Sequence, residues 1–133
     1  MTQAQQLGPR QRALVEALRS GKYTQDTCQL RTTEGFCCLG VACDLYDPTK
    51  WVFAQEDEES DREWAFVITV IRERAWLPDK VREYYGFRTP TGEYNQEKFG
   101  RVQLSADNDR GVSFSAIADT IEAHASELFS EPL

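Results

Sequence analysis

The sequence lacks the long apolar run that a membrane-spanning helix requires, and residues 1–10 are polar and rich in glutamine. Such a start lacks the hydrophobic stretch of an export signal, so we expect a cytoplasmic protein without membrane contact. Repeats and low-complexity tracts are also missing. With 133 residues and no break in composition, the chain is expected to form a single domain over residues 1–133.

Positive charge is scarce, because 22 Asp and Glu residues outnumber 15 Lys and Arg residues and give a net charge of −7. A phosphate backbone is repelled by such a chain, which excludes general binding of extended nucleic acid. The charge is compatible with a basic partner protein or with a small ligand in a local positive pocket. The residues that concentrate positive charge near the start of the chain are Arg10, Arg12, Arg19, Lys22 and Arg31.

Cysteine is confined to one short stretch, and the two-residue spacing typical of zinc sites does not occur in it. The four residues are Cys28, Cys37, Cys38 and Cys43. In a helix Cys43 would point to a different face from Cys37 and Cys38, so we expect free thiols, no metal and no other cofactor. Cys38 and Cys43 lie in the least polar part of the chain and are expected to be buried and inert.

Hydrophobic periodicity and end residues predict three helices, over residues 9–20, 78–86 and 113–128. A fourth apolar run, residues 36–45, is too short and too uniform for periodicity to separate a buried helix from a buried strand. We favour a helix that is apolar on nearly all sides and lies at the centre of the core. A turn at residues 32–35 precedes it.

Extended segments are predicted at residues 23–30, 51–53 and 64–72, and residues 93–104 form one more strand or an irregular excursion. The acidic run at residues 56–61 is typical of a solvated loop. The fold class is therefore α+β, with a small, mostly antiparallel sheet packed against a central buried helix and terminal helices.

The segment that leads into the last helix contains Asp107, Asn108, Asp109 and Gly111 and resembles the opening of a calcium-binding loop. The loop's third acidic ligand and its closing glutamate are missing. Asp and Asn side chains also bond to their own backbone in turns, so we expect a turn at residues 107–111 rather than an ion site.

A cysteine nucleophile is the catalytic alternative. Cys37 and Cys38 lie at the start of the predicted central helix, whose dipole would stabilise a thiolate. His124 is the one histidine that could act as the base, oriented by Asn108 or Asp109. The order and spacing of these residues match no nucleophile signature, and small cysteines on an apolar helix commonly serve packing. We therefore name no catalytic residue on the favoured interpretation.

A ligand site is predicted from four residues: Arg31, Trp51, Asn108 and Asp109. Arg31 precedes the N-terminus of the central helix, where backbone N–H groups need partners, and Trp51 offers a stacking face. Asn108 and Asp109 add directional polar groups. Such a site suits a planar or phosphate-bearing ligand.

Two motifs carry a resemblance to a known family: FCCLGVACDL at residues 36–45 and ND-x-G-x-SF-x-x-IAD-x-IE at residues 108–122. They occur with Leu77, Pro78, Val81 and Gly86. The chain resembles, from about Ala13 onward, a family of small uncharacterised proteins of tailed bacteriophages and prophages. The acidic run and residues 93–101 fall outside the resemblance.

This resemblance implies a phage-encoded accessory protein, a class that often binds a host protein or sequesters a small nucleotide signal. We accordingly expect a binding protein directed at host defence or host physiology, with a host protein or a small phosphate-bearing ligand as its partner. Two alternatives stay open: a small cysteine-dependent hydrolase, and an acidic decoy of a nucleic-acid-binding surface.

Overall fold

The computed structural model describes residues 6–54, 63–68, 71–73 and 75–133. For the described residues from 53 to 73, including both ends, it gives the backbone alone. The acidic run at residues 56–61 lies outside the described residues. The helices are α1 (Pro9–Arg19), α2 (Cys38–Tyr46), α3 (Asp79–Tyr85), α4 (Leu104–Asp109), α5 (Phe114–Ala123) and α6 (Ala125–Leu128), with a 3-10 turn at Pro48–Lys50. The strands are β1 (Trp51–Ala54), β2 (Glu63–Ile68), β3 (Ile71–Glu73), β4 (Glu93–Gln96) and β5 (Gly100–Gln103).

The strands form two antiparallel sheets, and the predicted α+β class is confirmed. One sheet has the order β1-β2-β3, with Trp51 opposite Phe66, and the other pairs β4 with β5, with Tyr94 opposite Val102. The long strand predicted at residues 64–72 is instead two strands, β2 and β3, in which Ile68 lies opposite Ile71. Pairing the two halves with each other satisfies their backbone hydrogen bonds locally.

The predicted strand at residues 23–30 is wrong. Among the described residues, this segment forms isolated bridges alone, such as the one between Gln25 and Phe36. Cys28 has a φ of 73°, a left-handed conformation that a strand cannot accommodate, and its N–H donates to Asp109 Oδ1 at 2.7 Å. Side chains from a distant segment therefore bind this backbone where a neighbouring strand was expected.

Helix α2 lies at the centre of the core, as predicted, and Val41, Ala42 and Cys43 have no exposed surface. It begins after Cys37, whose Sγ accepts a hydrogen bond from the Gly40 N–H at 3.3 Å. Helices α1 and α5 pack against each other, and α2 contacts α1, α3 and α4. No described helix has both the length and the apolar character needed to cross a membrane.

The last predicted helix is divided in two. It begins after Ser113, whose hydroxyl accepts from the Ala116 N–H at 3.2 Å, and it breaks at His124, where φ is −117° and ψ is 26°. Phe129, which directly follows α6, packs against Phe87 with the ring centroids 4.6 Å apart. Both rings are buried, so this contact stabilises the position of α6 after the break.

The turn predicted at residues 107–111 is largely helical. Helix α4 includes Asp107 and Asn108, both buried, and the reversal occurs at Gly111, where φ is 90°. These polar side chains have partners elsewhere in the fold, so they do not compete for their own backbone as they would in a turn.

Candidate functional site

Three aromatic side chains meet beside the start of α2, and we call them the aromatic cluster: Tyr23, Phe36 and Trp51. The rings of Tyr23 and Phe36 meet edge to face with centroids 5.2 Å apart, and those of Phe36 and Trp51 are 6.0 Å apart. Phe36 directly precedes the helix cap, and Trp51 begins β1. The segments before and after α2 therefore bring together aromatic residues that are separated in the sequence.

Asp44 fixes the cluster from within α2. Its two carboxylate oxygens accept hydrogen bonds from the Tyr23 hydroxyl at 2.7 Å and from Trp51 Nε1 at 3.0 Å. Burial, followed by the contact with Asp44, raises the pKa of Tyr23 well above its ordinary value, so the phenol stays a donor. An acid inside the least polar run of the chain therefore has a definite structural role.

Arg31 lies over this cluster. Its guanidinium carbon is 5.1 Å from the centroid of the Phe36 ring and 5.6 Å from that of Trp51, both within cation–π range. A β-bridge between Arg31 and Phe36 sets this arrangement. Arg31 and Trp51 were predicted to share a site and are indeed close. Trp51 is 9% exposed, so half-buried Phe36 presents the more accessible ring.

Asn108 lies in α4 and has no exposed area. Its Oδ1 accepts from the Cys38 N–H at 3.1 Å and from Gln25 Nε2 at 3.0 Å, and its Nδ2 donates to the carbonyl of Asp26 at 2.7 Å. A buried amide whose two polar atoms are bonded to protein does not reach a ligand in this conformation. Its role is to fasten the loop before α2 to the helix.

Asp109 is exposed and lines a small cavity of about 70 Å³, together with Cys28, Cys37 and Trp76. This volume holds at most a few water molecules and is too small for a nucleotide. The predicted set of four residues therefore divides. Arg31 lies over the nearly buried Trp51. Asn108 and Asp109 instead bind the backbone of the loop before α2.

The chemistry of Cys37 opposes its use as a nucleophile. The thiol is buried, and burial raises its pKa to about 11, so it is protonated at neutral pH. His124 pairs with Glu127 through Nδ1, and its ring lies 4.8 Å from that of Tyr94. It lines a different depression from the cavity that Cys37 and Asp109 share.

Metal binding has no support among the described residues, since no group of three His, Cys, Asp or Glu side chains is placed to hold an ion. Cys38 and Cys43 are buried within α2, as expected, and all four cysteines are free thiols. Burial raises the pKa of Cys38 well above its ordinary value.

Residues 10–125 match a family model described as a domain of unknown function, DUF8296. The chain belongs to this family. Both motifs noted in the sequence lie inside the DUF8296 region, as do the aromatic cluster, Arg31 and Asn108. No curated protein and no solved structure matches the chain.

Within the DUF8296 domain, sequence reasoning missed Tyr23, Phe36 and Asp44 as members of the site. One signal was present: Asp44 is the one charged residue in the run at residues 36–45. A carboxylate in such a segment requires hydrogen-bond donors, and tyrosine and tryptophan supply them. Which tyrosine and which tryptophan supply these donors depends on how the chain folds around α2, and no local sequence pattern specifies it.

Proposed function

We propose that this protein acts by binding, and that Arg31 with the half-buried ring of Phe36 forms a recognition surface for a small, planar, phosphate-bearing ligand such as a nucleotide. The observation that carries the proposal is the position of the Arg31 guanidinium over two aromatic rings. Arginine binds phosphate through paired N–H donors, and an aromatic face stacks on a base.

Neighbouring side chains hold the recognition surface in position. Asp44 anchors Tyr23 and Trp51, and the Phe36 ring contacts both of their rings. A site held in place before binding loses less entropy when the ligand arrives. The net charge of −7 repels a long phosphate backbone and leaves a short ligand with few phosphates as the favoured partner.

The biological setting that we propose rests on the motif resemblance: a phage-encoded accessory protein that sequesters a nucleotide signal of the host or binds a host factor. Burial of Cys37, which raises the pKa of its thiol to about 11, weighs against the hydrolase alternative in which Cys37 is the nucleophile. The decoy alternative rests on overall acidity alone.

The test measures binding of a panel of compounds by thermal shift and calorimetry. The panel contains adenosine, the mononucleotides of adenine and guanine, and cyclic mononucleotides and dinucleotides. A phosphate-bearing member should raise the melting temperature, because a ligand that binds only the folded state stabilises it by mass action. Adenosine, which lacks phosphate, should bind at least tenfold more weakly than that member.

Arg31→Gln should weaken binding at least tenfold, whereas the matched control Arg12→Gln, on the exposed side of α1, should bind like the parent. Equal affinity of the Arg31→Gln variant and the parent would place the site elsewhere. Failure of every nucleotide to bind would remove the ligand class.

A further inference from the structure

The outer edge of β5 carries no partner strand among the described residues. Its sheet contains only β4 and β5. The other edge, along β4, is covered by α6, where the Asn95 N–H donates to Glu127 Oε1 at 3.2 Å. Unpaired strand edges are templates for the addition of another strand.

The register shows which backbone groups are available at this edge. The Leu104 N–H donates to the Gly92 carbonyl at 2.9 Å, and this pair continues the ladder in which Glu93 faces Gln103 and Asn95 faces Arg101. Hydrogen-bonded and non-hydrogen-bonded pairs alternate in an antiparallel ladder. The N–H and C=O groups of Arg101 and the N–H of Gln103 therefore point away from β4, whereas the Gln103 carbonyl begins the hydrogen bonding of α4.

A cavity of about 440 Å³ runs beside this edge and is lined by Arg101, Arg110, Val102 and Ala106 among others. Arg101 Nε binds Glu93 at 2.5 Å, and Arg110 binds Asp107. The arginine side chains are 64% and 61% exposed, whereas Glu93 and Asp107 are 26% and 5% exposed. The accessible charge here is consequently positive, above carboxylates that hold the arginines in place.

We propose that the β5 edge binds an extended, acidic peptide segment of a partner protein, which adds to β4 and β5 as a third strand. The outward N–H and C=O groups would pair with the peptide backbone, and its carboxylates would meet Arg101 and Arg110. A second copy of the chain fits poorly, because antiparallel pairing of two β5 strands brings Arg101 close to its counterpart.

The test uses three fluorescein-labelled peptides with five repeats each: Thr-Glu, Thr-Lys and Pro-Glu. Fluorescence anisotropy at low salt measures their binding to the full chain. The Thr-Glu peptide should bind, the Thr-Lys peptide should not, and the Pro-Glu peptide should bind at least tenfold more weakly than Thr-Glu. The Pro-Glu peptide has the same charge as the Thr-Glu peptide. Its proline residues fix φ near −65° and remove N–H donors, so they prevent strand pairing.

Two variants locate the site. Arg101→Gln and Arg110→Gln should each reduce affinity for the Thr-Glu peptide severalfold, with melting temperature checked in parallel. The control Arg88→Gln removes an exposed arginine outside this cavity and should have no effect.

Equal binding of the Pro-Glu and Thr-Glu peptides would overturn strand addition, and failure of Thr-Glu to bind would overturn the acidic partner. Self-association of the parent in sedimentation that Arg101→Gln strengthens, by removing the repulsion between the two arginines, would assign the edge to a second copy instead. The Arg31 site shares no residue with this edge, so either proposal can fail without the other.

Discussion

At the scale of single residues, Asn108 joins three segments that are far apart in the chain. Its amide bonds to the start of α2 and to the loop at Gln25 and Asp26, and it does so without contact with solvent. Buried polar groups of this kind are costly when a partner is removed, since the groups left behind are unsatisfied.

We predict that Asn108→Ala lowers the free energy of unfolding by about 2–4 kcal/mol, because the Cys38 N–H and the Asp26 carbonyl lose a partner in the interior. The control Asn95→Ala changes an exposed amide and should cost less than about 0.5 kcal/mol. Urea denaturation followed by circular dichroism measures both. Equal midpoints for the two variants would contradict this role for Asn108.

The thiols should differ sharply in reactivity. Cys28 is exposed, whereas Cys37, Cys38 and Cys43 are buried. We predict that a chromogenic disulfide reagent at neutral pH modifies one thiol per native chain rapidly, and four in denaturant. Mass spectrometry of the labelled chain should place the rapid label on Cys28. Rapid labelling of Cys37 in the folded protein would revive a nucleophilic role.

At the scale of elements, α2 depends on a close approach that only glycine permits. A Cβ at Gly40 would overlap the carbonyl of Leu30. That segment also holds the helix start, because the Leu30 carbonyl accepts from the Cys37 N–H at 3.1 Å. The glycine within the FCCLGVACDL motif thus has a packing role, independent of any ligand.

We predict that Gly40→Ala destabilises the protein by about 1–3 kcal/mol or more, since the backbone of Leu30 or the helix must shift. Gly21→Ala is the comparison, because Gly21 has a φ of 75° but open space around it, and its cost should be about 1 kcal/mol. Thermal melts of both variants give the order. A stable Gly40→Ala variant would mean that α2 and Leu30 are less closely packed.

At the scale of the whole molecule, the core contains several ionisable groups whose neutral, protonated form is favoured by burial. Burial raises the pKa of Cys37 to about 11, and burial is also the main cause that raises the pKa values of Cys38 and Tyr85. In the unfolded chain these groups ionise nearer their ordinary values, so alkali stabilises the unfolded state.

The stability should therefore change little between about pH 7 and pH 8 and should fall from about pH 9 through pH 11 and above, by on the order of 1 kcal/mol per pH unit for each buried thiol. Urea titrations from pH 7 to about pH 11 measure it. Cys37→Ala should show a shallower decline than the parent. A stability that rises above pH 9, or a Cys37→Ala profile as steep as that of the parent, would contradict this assignment.

Part of this organisation was predictable from local signals. Helices α1, α2 and α3 and the start of α5 follow from periodicity, apolar composition and end residues such as Gly86 and Ser113. Each signal lies within a few residues of the element that it specifies, and backbone preference and burial act over that range.

The sequence alone predicted the α+β class, favoured a central apolar helix and suggested that Arg31 and Trp51, on either side of that helix, share a site. The tertiary structure decided what the polar residues do. Whether Asn108 meets a ligand or the Cys38 N–H, and whether residues 23–30 pair as a strand or bind side chains of α4, depends on partners far along the chain. Hydrogen bonds act over about 3 Å in space, whatever the separation in sequence, so local pattern carries no record of them.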